Sequence, residues 1–170
     1  MYYEKILNFL GDWRVQSWLL VAGIVLMGSL IYRTRQLADH TSLDEEKWLT
    51  RADIDRFFND NNADQIRCYA LSECTLDLAF PFVYTGLLCG LMFSTCSCWL
   101  PKWACFAPVL LMICDLLENT HFVAFCWNQS LIATYYGSAC FFHNVKCILS
   151  IPAYVGGPVM IAIRAWMMWK

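Results

Sequence analysis

Between Trp103 and Trp127 the chain holds an apolar run of about 25 residues, long enough to cross a bilayer as one helix, and Asp115-Leu116-Leu117-Glu118-Asn119 lies inside it. One Asp at the centre of such a helix costs roughly 2.5–3.5 kcal/mol even on lenient insertion scales. Two carboxylates and a carboxamide in one stretch therefore demand compensation from elsewhere in the fold or from a partner. That demand limits which other polar residues must approach this helix.

Three more apolar runs accompany it. Residues 15–32 are closed by Arg33 and Arg35 and lack the small-residue cleavage site of a signal peptide, so they read as an uncleaved first span. Residues 76–100 carry Asp77 near their start and Pro81 within. Residues 144–169 are interrupted by Pro152 and Gly156-Gly157-Pro158, where a kink is expected. The chain is 59% hydrophobic with a mean hydropathy of +0.44, against about 45–50% apolar for a soluble domain. The expected fold is all-α: an integral membrane four-helix bundle, a single membrane domain over residues 1–170. A net charge of -2 speaks against nucleic acid as a partner.

The connections follow from the same pattern. Pro101-Lys102 makes a tight hairpin between spans two and three. Residues 128–143 contain no formal charge but carry Tyr135, Tyr136, Phe141 and Phe142, and read as an interfacial segment before span four. Residues 39–75 form the one substantial polar segment, expected to be a helical extramembrane cap. Ser42-Leu43-Asp44-Glu45 and Thr50-Arg51-Ala52-Asp53 fit capping boxes. Ile54, Phe57 and Phe58 give a helical apolar stripe, and Asn62 can cap a helix running straight into span two. Four spans place Trp13, Trp99, Trp103, Trp166 and Trp169 at one interface, an aromatic belt.

The ten cysteines fall mainly in or beside the apolar runs, where they act as small hydrophobes at helix contacts. Cys96-Ser97-Cys98 has no completing His or second pair, so no metal is expected. A bridge between Cys126 and Cys140, or Cys98 and Cys105, stays open. Asp60 to Asp64 resembles the start of a calcium loop, but Gln65 and Leu71 stand where Gly and Glu are required. It reads as a solvated turn. No cofactor motif is evident, and Asn128-Gln129-Ser130 reads as a chance sequon.

Topology gives the anomalous stretch its partners. Asp115, Glu118 and Asn119 share one helical face, as do Asp77, Pro81 and Tyr84 on span two. Lys146 begins span four on the same side of the membrane. A buried network of Asp77, Asp115, Glu118, Asn119 and Lys146 is expected, with Tyr84 or His121 as further members. It can be structural, fixing helix register. It can meet a head group or quinone-like ligand. Or it can be an acid/base pair acting on a lipid.

Leu76-Asp77-Leu78-Ala79-Phe80-Pro81-Phe82-Val83-Tyr84, taken with Asp115 to Asn119 and the later Lys146, resembles a family of small, uncharacterised four-span membrane proteins of bacteria and eukaryotes. The resemblance implies the four-span fold over residues 50–168 and brings no activity.

The size of the chain and its lack of catalytic motifs lead to the expectation of a non-catalytic accessory subunit of a multi-subunit membrane complex. Its partners would be other membrane-protein subunits and bilayer lipids. Its setting would be the mitochondrial inner membrane, in a respiratory or ATP synthase assembly, with the endoplasmic reticulum as the alternative. The rival expectation is a small membrane enzyme or lipid- or quinone-binding protein that uses the intramembrane carboxylates. A ligand-sized cavity lined by Asp115 and Glu118 favours the rival; a closed network favours the subunit.

Overall fold

The computed structural model describes residues 2–37, 42–43, 46–96 and 105–169. Their elements are α1 (Tyr2–Leu10), α2 (Trp13–Thr34), α3 (Arg51–Asp60), α4 (Ala63–Ser72), a π-helical turn (Glu73–Asp77), α5 (Leu78–Cys96), α6 (Phe106–Trp127), a 3-10 turn (Gln129–Leu131) and α7 (Ile132–Trp169). Four helical stretches are long and apolar enough to span a membrane: α2, Ala63–Thr95, α6 and Gln129–Met167. The chain is an all-α, multi-pass membrane protein.

Asp12 starts α2 by accepting the Arg14 N–H at 2.8 Å, which satisfies one of the donors a helix N-terminus leaves open. The 22 residues of α2 reach about 33 Å, enough for a hydrocarbon core of about 30 Å. Helix α5 occupies the middle of the bundle and packs on α1, α2, α6 and α7. Two glycines let the N-terminal corner settle on it. Leu19 covers Gly86, and a Cβ at Gly90 would overlap the Leu10 carbonyl. Gln16 is the one fully buried residue of α2, and its amide reaches the Ser94 hydroxyl on α5 at 3.0 Å. The opposite face of α2, with Trp18, Val21, Ile24, Val25 and Tyr32, is exposed, as a lipid-facing side can be.

The cap is built on helix ends. The Asp53 carboxylate accepts the Thr50 N–H at 2.9 Å, closing a capping box on α3. The Thr50 hydroxyl, also bonded to that carboxylate, holds Asp53 below the usual carboxylate range. Asn62 caps α4 by accepting the Asp64 and Gln65 N–H groups, each at 3.0 Å. From there one helical path continues through the π turn into α5. Ile54 and Phe57 of α3, Ile66 and Tyr69 of α4, and Phe122 and Phe125 of α6 form a shared apolar core.

Residues 132–143 are the first turns of α7, so the segment expected at the interface is continuous with the helix that follows. Asn128 breaks α6 with an extended backbone, and α7 begins at Ile132 and runs for 38 residues. At 1.5 Å per residue that is about 57 Å, nearly twice the hydrocarbon thickness. The N-terminal turns overhang on the cap side, where the Arg51 guanidinium lies over the Tyr136 ring. Helix α7 also passes through Pro152 and Pro158 as one helix. Asp44 and Glu45 of the capping box expected at Ser42–Glu45, and the hairpin at Pro101-Lys102 with Cys98, Trp99 and Trp103, lie outside the described residues. Cys126 and Cys140 are free thiols packed against the cap core.

Candidate ligand site at the buried carboxylates

A proline sets up the first contact. Pro81 has no N–H, so the carbonyl four residues earlier, that of Asp77, loses its helical donor. Asn119 of α6 fills the gap. Its Nδ2 donates to the Asp77 carboxylate at 2.6 Å and lies 3.4 Å from the freed carbonyl. The π turn ending at Asp77 adds a residue to the winding here and buries both Glu73 and Asp77.

A chain of polar contacts continues across three helices. The Tyr84 hydroxyl on α5 donates to Asp115 Oδ2 at 3.0 Å. Lys146 Nζ on α7 lies 3.2 Å from Asp115 Oδ1 and 2.6 Å from Glu118 Oε2. Glu118 Oε1 lies 2.7 Å from His143 Nδ1, and both side chains are fully buried. His143 Nε2 is 2.6 Å from the backbone carbonyl of Glu46 in the segment before α3. The helical repeat makes this possible. Asp115 and Glu118 are three residues apart on α6, and His143 and Lys146 three apart on α7, so each pair shares a face.

The Cys147 Sγ also lies 3.4 Å from Nε2, and the two shorter His143 contacts fix a proton. A backbone carbonyl and an ionised carboxylate are both acceptors, and a neutral imidazole donates from only one nitrogen. Either the imidazole is protonated at both nitrogens, or the Glu118 carboxyl carries the proton and donates to Nδ1. In both arrangements Asp115, Glu118, Lys146 and the shared proton sum to zero charge. That balance is what lets ionised groups persist at membrane depth, where an unpaired charge is expensive.

The network is not closed. Asp77, Tyr84, Asp115 and Lys146 line a cavity of about 1030 Å³ that continues on the cap side past Glu73, Arg33, Gln65 and Asp64. The rest of its wall is mostly apolar, from Leu30 and Ile31 on α2, Leu87 and Leu111 deeper in the bundle, and Ile151 and Ile161 on α7. Ligand pockets for drug-sized molecules run to about 1,000 Å³, so this space suits a molecule at the upper end of that range or larger. Glu118 sits behind Asp115 and Lys146 and does not line it. Among the described residues no His, Cys, Asp and Glu group is arranged to hold a metal ion.

The structure thus brings Asp77, Tyr84, Asp115, Glu118, Asn119 and Lys146 together. His121 stands apart. Its Nε2 meets the Ser138 hydroxyl at 2.8 Å, and its ring packs near Phe125, Tyr135 and Phe142. Two site residues escape the sequence reading. His143 was assigned to the end of an interfacial segment, although its three-residue spacing from Lys146 is a usable signal. Glu73 lies one turn before Asp77, also a usable signal, and lines the same cavity.

Together, fold and site define a multi-pass membrane protein in which an ion-paired set, Asp115, Glu118, His143 and Lys146, borders a cavity also lined by Glu73 and Asp77. The chain matches no protein-family model, no curated protein and no solved structure. The resemblance to small four-span proteins rests on its two motifs and Lys146 alone.

Proposed function

We propose that the protein binds an amphipathic small molecule inside the membrane, with the ligand's polar group at Tyr84, Asp115 and Lys146 and its apolar body along α2, α5 and α7. The observation that carries this reading is the cavity of about 1030 Å³ that joins those polar groups to apolar walls. A donor (Lys146) and acceptors (the Tyr84 oxygen, whose O–H is held by Asp115, with Asp77 and Asp115) stand side by side there, which suits a hydrogen-bonding head such as a hydroxyl or amine. Apolar walls supply affinity and a few placed polar groups supply orientation, the usual division in small-molecule sites. The accessory-subunit expectation, with its mitochondrial inner-membrane setting, has no comparable observation behind it. Bilayer lipid would cover the outward face of α2 as well as a neighbouring subunit would.

The test is native mass spectrometry of protein purified from membranes into nanodiscs, followed by extraction and identification of retained molecules. One amphiphile should be enriched over its share of the surrounding lipid. Leu111→Trp and Leu87→Trp, which fill the cavity from two helices, should both lose it while keeping the wild-type helical signal. Retention of bulk lipid only, in bilayer proportions and equally in both variants, would overturn the reading.

A further inference from the structure

The cavity has a roof and a flank, and they are built differently. The roof, on the cap side, is laced by polar contacts. His143 Nε2 meets the Glu46 carbonyl at 2.6 Å, and the Leu49 N–H donates to Asn144 Oδ1 at 3.1 Å, tying the segment before α3 to α7. Arg33 Nη1 lies 2.6 Å from Cys68 Sγ, and Gln65 Nε2 donates to the Gln36 carbonyl at 3.0 Å, tying the end of α2 to α4. Glu46, Lys47 and Trp48 line the space on that side.

The flank lies between α2 and α7. Helix α2 packs on α5, α4 and the π turn, and α7 on α5 and α6, but α2 and α7 barely touch each other. Both line the cavity, α2 with Met27 and Ile31, α7 with Ile148 and Ile151, and all four side chains are exposed. These positions lie in the cap-side half of α2 and at the depth of Lys146 on α7. Both helices are long and apolar enough to span a membrane, so lipid can face them there.

Resting on the ligand-binding reading above, we infer that the ligand is a bilayer-resident amphiphile that reaches the site sideways, between α2 and α7, from the cap-side leaflet. The route needs no polar contact to break, because dispersion and lipid contacts along the flank are exchanged for similar contacts with the incoming chain. Passage through the roof would instead break several hydrogen bonds, one of them to the fully buried His143. The polar head travels least: at the flank it already stands near the level of Lys146.

The probe is a single-chain amphiphile carrying a dansyl group at its chain end, with energy transfer from the protein's tryptophans read in nanodiscs. Its uptake rate should follow its mole fraction in the bilayer and not its aqueous concentration. Ile31→Phe with Ile151→Phe, narrowing the flank, should slow uptake about tenfold, within the span that access changes produce in association rates, and leave final occupancy near wild type. Gln65→Ala with Asn144→Ala, loosening the roof, should leave the rate within about twofold of wild type. Uptake speeded by the roof variant and untouched by the flank variant would overturn sideways access while leaving ligand binding intact. No uptake by the wild-type protein, together with no amphiphile retained on purification, would sink both.

Discussion

Lys146→Met isolates the central electrostatic claim. Lys146 Nζ holds two carboxylates, Glu118 at 2.6 Å and Asp115 at 3.2 Å. Its loss leaves those two acids with one shared proton, hence one uncompensated negative charge at membrane depth. Breaking a buried ion pair by deleting one partner costs about 3–5 kcal/mol. The lysine side chain is 14% exposed and borders the cavity, so water can reach the orphaned charge, and the low end, about 3 kcal/mol, is expected. Adding Glu118→Gln removes the surplus charge where His143 holds the shared proton, and keeps an oxygen to accept from its Nδ1. The double variant should therefore regain about 1.5 kcal/mol or more relative to additivity. The assay is reversible unfolding in mixed detergent micelles, titrated with a denaturing detergent and followed by tryptophan fluorescence, for wild type, both single variants and the double. Costs that simply add, or a Lys146→Met penalty below about 1 kcal/mol, would mean the groups do not act as one charge-balanced set.

Three further outcomes follow from contacts already described. Asn119→Leu should cost about 1–3 kcal/mol by leaving the Asp77 carboxylate and carbonyl underserved; Pro81→Ala in that background should recover part of it by restoring a helical N–H, and the same unfolding assay reads both. Gly90→Ala should cost about 1–3 kcal/mol, since the Leu10 backbone cannot move aside without shifting α1, and a lowered thermal midpoint would show it. Asp53 is held below the ordinary carboxylate range by Thr50, so its contribution to α3 is fully present above the unfolded value of about 4 and is lost as pH falls through the lower folded value. Amide exchange in residues 51–60 should accordingly stay slow from pH 7 to about pH 4 and quicken below it, and Asp53→Asn should remove that step.

The polar half of the site was legible because helical spacing is a local property. Asp115, Glu118 and Asn119 announce one face of α6, Asp77 and Tyr84 one face of α5, and the packing of α5 on α6 brings those faces together. The length of α7 was not legible. Nothing in the uncharged, aromatic run around Tyr135 and Phe141 distinguishes a helix overhanging the bilayer from a segment lying on it, and His143 was lost with that misreading. The π turn was hidden because its extra residue changes the winding without changing composition. The cavity was hidden for a different reason. It arises from a contact that α2 and α7 do not make, and neither helix's own pattern records a missing neighbour.

The π turn also makes the stretch from Glu73 to Asp77 a phase-setting device between cap and bilayer. Deleting its extra residue would let the stretch rewind as ordinary α-helix with the cap still in phase, whereas inserting one more would turn everything above it by about 100° relative to α5, since each helical residue advances that far. Such an insertion would swing Ile66 and Tyr69 out of the cap core while Pro81 and Tyr84 stayed in place. Substitutions in this stretch can be judged by chemistry, but a change in its length has to be judged as a rotation.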